Sequence, residues 1–216
     1  MELLFLVIGI GAGLDYGLLK SWRQTSWTRT LTKATSIVSI IIWAILLGAP
    51  SIVVIALGFA AIGDIAVSRG ELRWITASAT AFFAFHALYL IEYSILANRP
   101  LMEVGPAIIL ATVCSVAVIF VCWESLSGHW LVGVLHTGIV LLQFSIGQMV
   151  GGAMIIIAYT TTLFLISALV LGLEMFLLEE DAPLRRLSSP LIWFTYLAGQ
   201  ILTVIGLTQF LQSGSI

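Results

Sequence analysis

The sequence predicts an all-α polytopic membrane protein, a bundle of eight transmembrane helices with both termini on the non-cytoplasmic side. Three observations carry that expectation. Hydrophobic residues fill 60% of the 216 positions and charged residues only 9%, with a mean hydropathy of +1.12, whereas soluble domains carry about 25% charged residues. The apolar residues gather into runs near the ~20 residues that a bilayer crossing needs. Lys and Arg fall almost entirely into alternate connections between those runs. A net charge of −2 selects no partner by its sign, and no basic run of the kind that binds nucleic acid is present.

Taken in order, the expected spans are 3–19, 34–48, 51–67, 74–96, 104–122, 130–147, 150–176 and 189–211. The first opens on Met-Glu with no basic flank and no cleavage-site pattern, so it reads as a retained span and not a signal peptide. The second is short and reaches the third through Ala49-Pro50, which makes the two a tight helical hairpin. No linker or repeat divides the chain, so 1–216 reads as a single membrane domain. Cys114 and Cys122 share one apolar run about two turns apart and cannot pair within one helix.

Orientation follows from the retention of Lys and Arg on the cytoplasmic side. With eight spans, Lys20, Arg23, Arg29, Lys33, Arg69, Arg73, Arg185 and Arg186 fall on one side and only Arg99 on the other. Trp22, Trp27, Trp74, Trp123 and Trp130 stand at expected boundaries, where interfacial tryptophans gather. The prolines, at 50, 100, 106, 183 and 190, are expected in loops or at helix starts. In a bacterial cell the chain would lie in the inner membrane.

Against that apolar background the polar residues at depth stand out. In LGFAAIGDIAV, Asp64 follows Gly63 near the cytoplasmic end of span three. An ionisable group at depth costs about 2.5–3.5 kcal/mol on insertion scales and marks a candidate site. Asp64 is either a structural partner of a polar group on another helix or a general acid, since desolvation disfavours a carboxylate's charged form. In FFAFHALYLIEY, His86, Tyr89 and Tyr93 recur at i, i+3 and i+7 and share one face, as a pocket wall or as a tie between helices. Trp193, Tyr196 and Gln200 repeat that spacing in span eight.

Gly9, Gly13 and Gly17 make a small-residue stripe suited to close packing, with Asp15 on the far side of the same helix. Lys33, at the expected start of span two, is either a phosphate or carboxylate holder or an ordinary anchor. His86, His129 and His136 are too widely spaced for a metal motif. Asp15, Lys33, Asp64 and Tyr196 share the cytoplasmic half, which predicts a cavity opening there.

These residues resemble the YhhN family of lysoplasmalogenase-like membrane proteins, the transmembrane protein 86 type. The likeness rests on Gly63-Asp64 followed by Phe83, His86 and Tyr89. It extends to Pro190, Trp193, Tyr196, Gly199 and Gln200 in the last span, and to LTKAT around Lys33, where Ala34 replaces the family's proline. The family's seventh span usually carries Phe-x-x-Ser-Asp, and here Phe164-Leu-Ile-Ser167 is followed by Ala168. Glu174 lies off Ala168 in rotation, which leaves Asp15 as a possible second acid.

The resemblance implies hydrolysis of the vinyl-ether bond of lysoplasmalogens to a fatty aldehyde and a glycerophospho-alcohol, with no metal or organic cofactor. Asp64 would be the catalytic acid. Lys33 would hold the phosphate of the lysophospholipid, and His86, Tyr89, Tyr196 and Gln200 would shape the pocket. The alternatives are a catalytically impaired relative that binds or senses lipid, and a small-solute transporter. Against transport, the sequence has no internal repeat and no pair of broken helices.

Overall fold

The computed structural model describes residues 1–69, 72–124 and 130–212, so His129 lies outside the described residues. These residues form eight α-helices: α1 (Glu2–Asp15), α2 (Trp27–Leu46), α3 (Ser51–Val67), α4 (Leu72–Leu96), α5 (Leu101–Val121), α6 (Trp130–Gln148), α7 (Ile156–Leu177) and α8 (Arg185–Gln212). Seven are long and apolar enough to cross a membrane, α1 being counted together with the turn that continues it to Lys20, and α3, with 17 residues, is just shorter. Two short turns complete the set: a π-helical turn at Tyr16–Lys20 continues α1, and a 3-10 turn at Gly152–Met154 precedes α7.

Successive helices from α1 to α4 pack as neighbours. Then α4 packs on α6, α6 on α7 and α7 on α8, and α8 returns to the π-helical turn. The result is a closed ring in which α5 stands outside, against α6 and α7. The outward face of α5 exposes Met102, Ile109, Leu110, Val113, Val116 and Phe120, as a lipid-facing helix does.

The helix ends follow local chemistry. Ser26 caps α2 by accepting the Arg29 N–H at 3.2 Å, an ordinary N-cap bond. At the other end of α2, Gly48 adopts φ +77°. Its N–H donates to the Ile45 carbonyl at 3.1 Å, and the Ala49 N–H donates to the Ala44 carbonyl at 2.9 Å. That is a Schellman turn, which needs a left-handed residue that glycine supplies without strain. Pro50 then starts α3, which closes the hairpin expected at Ala49-Pro50.

Several boundaries differ from the sequence expectation. Helix α2 begins at Trp27 and not at 34, because Ser26 caps a first turn that is too polar to count as apolar span. Lys33 therefore sits well inside the helix, about 9 Å beyond its start at 1.5 Å per residue. Helix α7 begins at Ile156 and not at 150, since the Gly151-Gly152 turn interrupts the run. Pro106 and Pro190 lie inside α5 and α8, in the second turn, because α5 and α8 begin at Leu101 and Arg185. The polar first turn of α8 masked its true start.

The glycine stripe of α1 sets the closest approaches. Ser36 donates to the Gly9 carbonyl at 2.7 Å, and Trp193 Nε1 donates to the Gly13 carbonyl at 2.8 Å. A Cβ on Gly17 would stand 2.4 Å from the Phe194 ring. The stripe thus brings α1 against both α2 and α8, while Asp15 faces away and pairs with Lys20, whose ammonium also donates to Thr32 at 2.8 Å.

A candidate active site around Asp64

A cavity of about 270 Å³ opens at the end of the bundle that carries the basic loops. Its wall draws on the π-helical turn (Tyr16), α2 (Arg29, Lys33), α3 (Asp64) and α4 (Phe82, His86). The other side comes from α6 (His136), α7 (Phe164, Ser167, Ala168, Glu174) and α8 (Arg185, Trp193, Tyr196). The outer helix α5 contributes nothing to it.

Asp64 is 2% exposed and two donors converge on its carboxylate. Lys33 Nζ lies 2.7 Å from Oδ1, and the Tyr196 hydroxyl donates to Oδ2 at 2.8 Å. The placement follows from the elements. Asp64 is one turn from the end of α3, and Lys33 reaches it from the neighbouring α2. Tyr196 comes from α8, across the ring. The Lys33 ammonium also lies 5.5 Å from the Tyr16 ring centroid and 5.3 Å from that of Trp193, an aromatic surround that favours a cation. Tyr16 and Trp193 meet edge-on at 4.7 Å. The π-helical turn, a distortion frequent at functional sites, is what delivers Tyr16 to this wall.

His86 lines the cavity from α4, with its Nδ1 paired to Gln143 Oε1. A proton on Nδ1 then leaves Nε2 as the ring's acceptor. Its ring packs against Phe85 at 4.5 Å, His136 at 5.5 Å and Phe164 at 6.0 Å. Phe82 and Phe164 also border the cavity, and each meets Tyr196 at about 6 Å. Gly63 makes room for Phe82: a Cβ there would lie 3.0 Å from its ring. Among the described residues no group of three His, Cys, Asp or Glu gathers as metal ligands would.

The structure therefore brings Asp64, Lys33, His86 and Tyr196 to one cavity. Tyr89 and Gln200 share the faces of His86 and Tyr196 but lie behind the wall, fully buried. The Tyr89 hydroxyl donates to Gln200 Oε1 at 3.1 Å. Tyr89, one turn deeper than His86, packs against the Phe85 and Phe164 rings at 4.7 and 6.1 Å. Tyr93 continues the column, bonded to Thr203 at 2.9 Å. Asp15 is absent from the cavity wall, and its carboxylate is held by Lys20. Phe83 is 41% exposed, on the outside of α4.

Glu174 is the acid that the sequence reading set aside. It lines the cavity mouth, buried, with Ser189 donating to both carboxylate oxygens at 2.8 and 2.9 Å. Ser188 adds a further bond, and Arg185 Nη1 lies 3.6 Å away. Arg185 also donates to the carbonyls of Glu174, Leu178 and Glu179, closing the end of α7. The signal was available: Glu174 is i+7 from Ser167 and so shares its face, although it is rotated away from Ala168. Ala168 itself lines the cavity and presents a methyl group there.

The fold and cavity together define a polytopic helical membrane protein with a polar site in one half of the bundle. The chain belongs to the YhhN family, whose model matches residues 28–207. No curated protein and no solved structure matches it.

Proposed function

We propose that the chain is a membrane-embedded hydrolase of the lysoplasmalogenase type, cleaving the vinyl-ether bond of a lysophospholipid. The observation that carries this reading is the Lys33–Asp64–Tyr196 cluster in an aromatic-walled cavity, beside His86. An enol ether breaks by protonation at its β-carbon, which leaves an oxocarbenium ion for water to capture. The demand is for one positioned acid and one base, the logic of glycoside hydrolysis.

In the proposed sequence a proton moves from the Lys33 ammonium to Asp64 and from Asp64 to the β-carbon, which leaves the Lys33–Asp64 pair one proton short. The His86 Nε2 accepts a proton from water as its oxygen bonds to the α-carbon. The hemiacetal then collapses: His86 returns its proton to the departing ether oxygen, and the hemiacetal O–H proton passes back to the Lys33–Asp64 pair. One water is consumed, an aldehyde and an alcohol leave, and both side-chain groups end as they began. The aromatic wall of Tyr16, Phe82, Trp193 and Tyr196 suits a developing cation, as the faces of such rings attract positive charge.

Turnover in D2O tests this directly. The reading predicts fatty aldehyde carrying a single deuterium on the carbon next to the carbonyl. Release of aldehyde without that deuterium would exclude carbon protonation. A second reading, a lipid-binding relative without hydrolysis, is favoured by Ala168 in the cavity wall. It predicts a silent parent, with aldehyde release gained in Ala168→Asp.

A further inference from the structure

The family resemblance implies that Lys33 holds the phosphate of the lipid, but in the structure the Lys33 charge is already met by Asp64 at 2.7 Å. Four cationic side chains line the cavity: Arg23, Arg29, Lys33 and Arg185. Arg185 is likewise engaged, by Glu174. Arg23 and Arg29 form no ion pair among the described residues. The carboxylate bordering the cavity without an ion pair among these residues is Glu180, on the connection that leads to α8.

Arg29 is the better placed of the two free cations. It stands one turn before Lys33 on α2, nearer the mouth. Its Nη2 donates to the Ser21 carbonyl at 2.9 Å and reaches the Tyr16 hydroxyl at 3.5 Å, and its guanidinium lies 5.9 Å from the Tyr16 ring centroid. Those contacts fix the guanidinium plane against the loop 21–26. Its Nε is buried and has no hydrogen-bond partner, and a buried guanidinium N–H left unpaired is unfavourable. A planar, permanently charged fork with donors to spare is suited to two oxygens of one phosphate.

We infer that Arg29, assisted by Arg23, is the subsite for a phosphate group at the mouth of the cavity, which leaves Lys33 to Asp64. The assignment rests on the lipid reading above for its source of phosphate, a lysophospholipid headgroup. It also gives that ligand a direction: phosphate at the basic mouth, and the ether-linked chain running inward past His86 and Phe164.

Binding to the purified full-length protein in nanodiscs tests the subsite. The probes are a lysophosphatidylethanolamine, a monoacylglycerol of the same chain length, and glycerol phosphate. Loss of a charge-assisted pair predicts that Arg29→Gln weakens the phosphate-bearing lipid by about 10- to 100-fold. The monoacylglycerol should bind the variant as it binds the parent, which shows the cavity intact, and Arg29→Lys should recover part of the loss. Equal binding of the lysophospholipid to parent and Arg29→Gln overturns the subsite while leaving the lipid reading standing. Failure of both lipids to bind the parent overturns the lipid reading, and the lipid source of the phosphate with it. Arg29-dependent binding of glycerol phosphate as tight as that of the lysophospholipid supports the anion site and overturns its lipid source.

Discussion

A single carboxylate, Asp64, organises the site. Its side chain and that of Lys33 are 2% and 10% exposed, so neither charge is comfortable alone. Removing one partner of such a pair typically destabilises by about 3–5 kcal/mol, whereas replacing both by apolar groups is often neutral. Lys33→Met should therefore lower the thermal midpoint in detergent sharply, and Lys33→Met/Asp64→Leu should recover most of that loss. A double variant no more stable than the single one would mean that the pair is not coupled as its geometry indicates. The sequence marked Asp64 because one charge in an apolar run is conspicuous. It put Lys33 in the same half as a holder of phosphate or carboxylate, but did not single it out as the partner of Asp64, since that depends on which helices are neighbours around the bundle. Glu174 was missed for a similar reason: its face is legible from Ser167 but not from Ala168.

Helix packing at close approach depends on particular glycines, and the structure separates those that matter from those that do not. A Cβ on Gly147 would lie 2.3 Å from Thr161 Cγ2, while Gly11 has nothing within 4 Å. Gly147→Ala should accordingly destabilise by about 1–3 kcal/mol through overpacking. Gly11→Ala should be neutral or stabilising by about 0.5–1 kcal/mol, because alanine is the better helix former. Equal melting behaviour of the two variants would contradict the packing described for α6 and α7. At this scale the sequence was most informative, for hydropathy locates apolar helices in any arrangement. The ends were less legible wherever a cap or a polar turn, as at Ser26 and Arg185, extended a helix beyond its apolar run.

Across the described residues, a ring of seven helices surrounds the cavity that holds Asp64 and leaves α5 outside. The neighbours in that ring were not legible, because hydropathy orders helices along the chain and not around a bundle. Eight of the nine Lys and Arg residues fall on the cavity's side by the span order, so we propose that this end is cytoplasmic. In a background with Cys114→Ala and Cys122→Ala, a Gln24→Cys variant should react with a membrane-impermeant maleimide only after the cytoplasmic side is opened to the reagent. Labelling of intact cells would reverse the orientation. On the reading proposed above, the Asp64 cluster is there to cleave a vinyl ether. The measurement to make is aldehyde release from a lysoplasmalogen by purified parent and Asp64→Asn proteins, each shown to be folded at the assay temperature. Release by the parent and a loss of at least about 100-fold in the variant are expected, in line with removal of a general acid. Undiminished release by Asp64→Asn would contradict it.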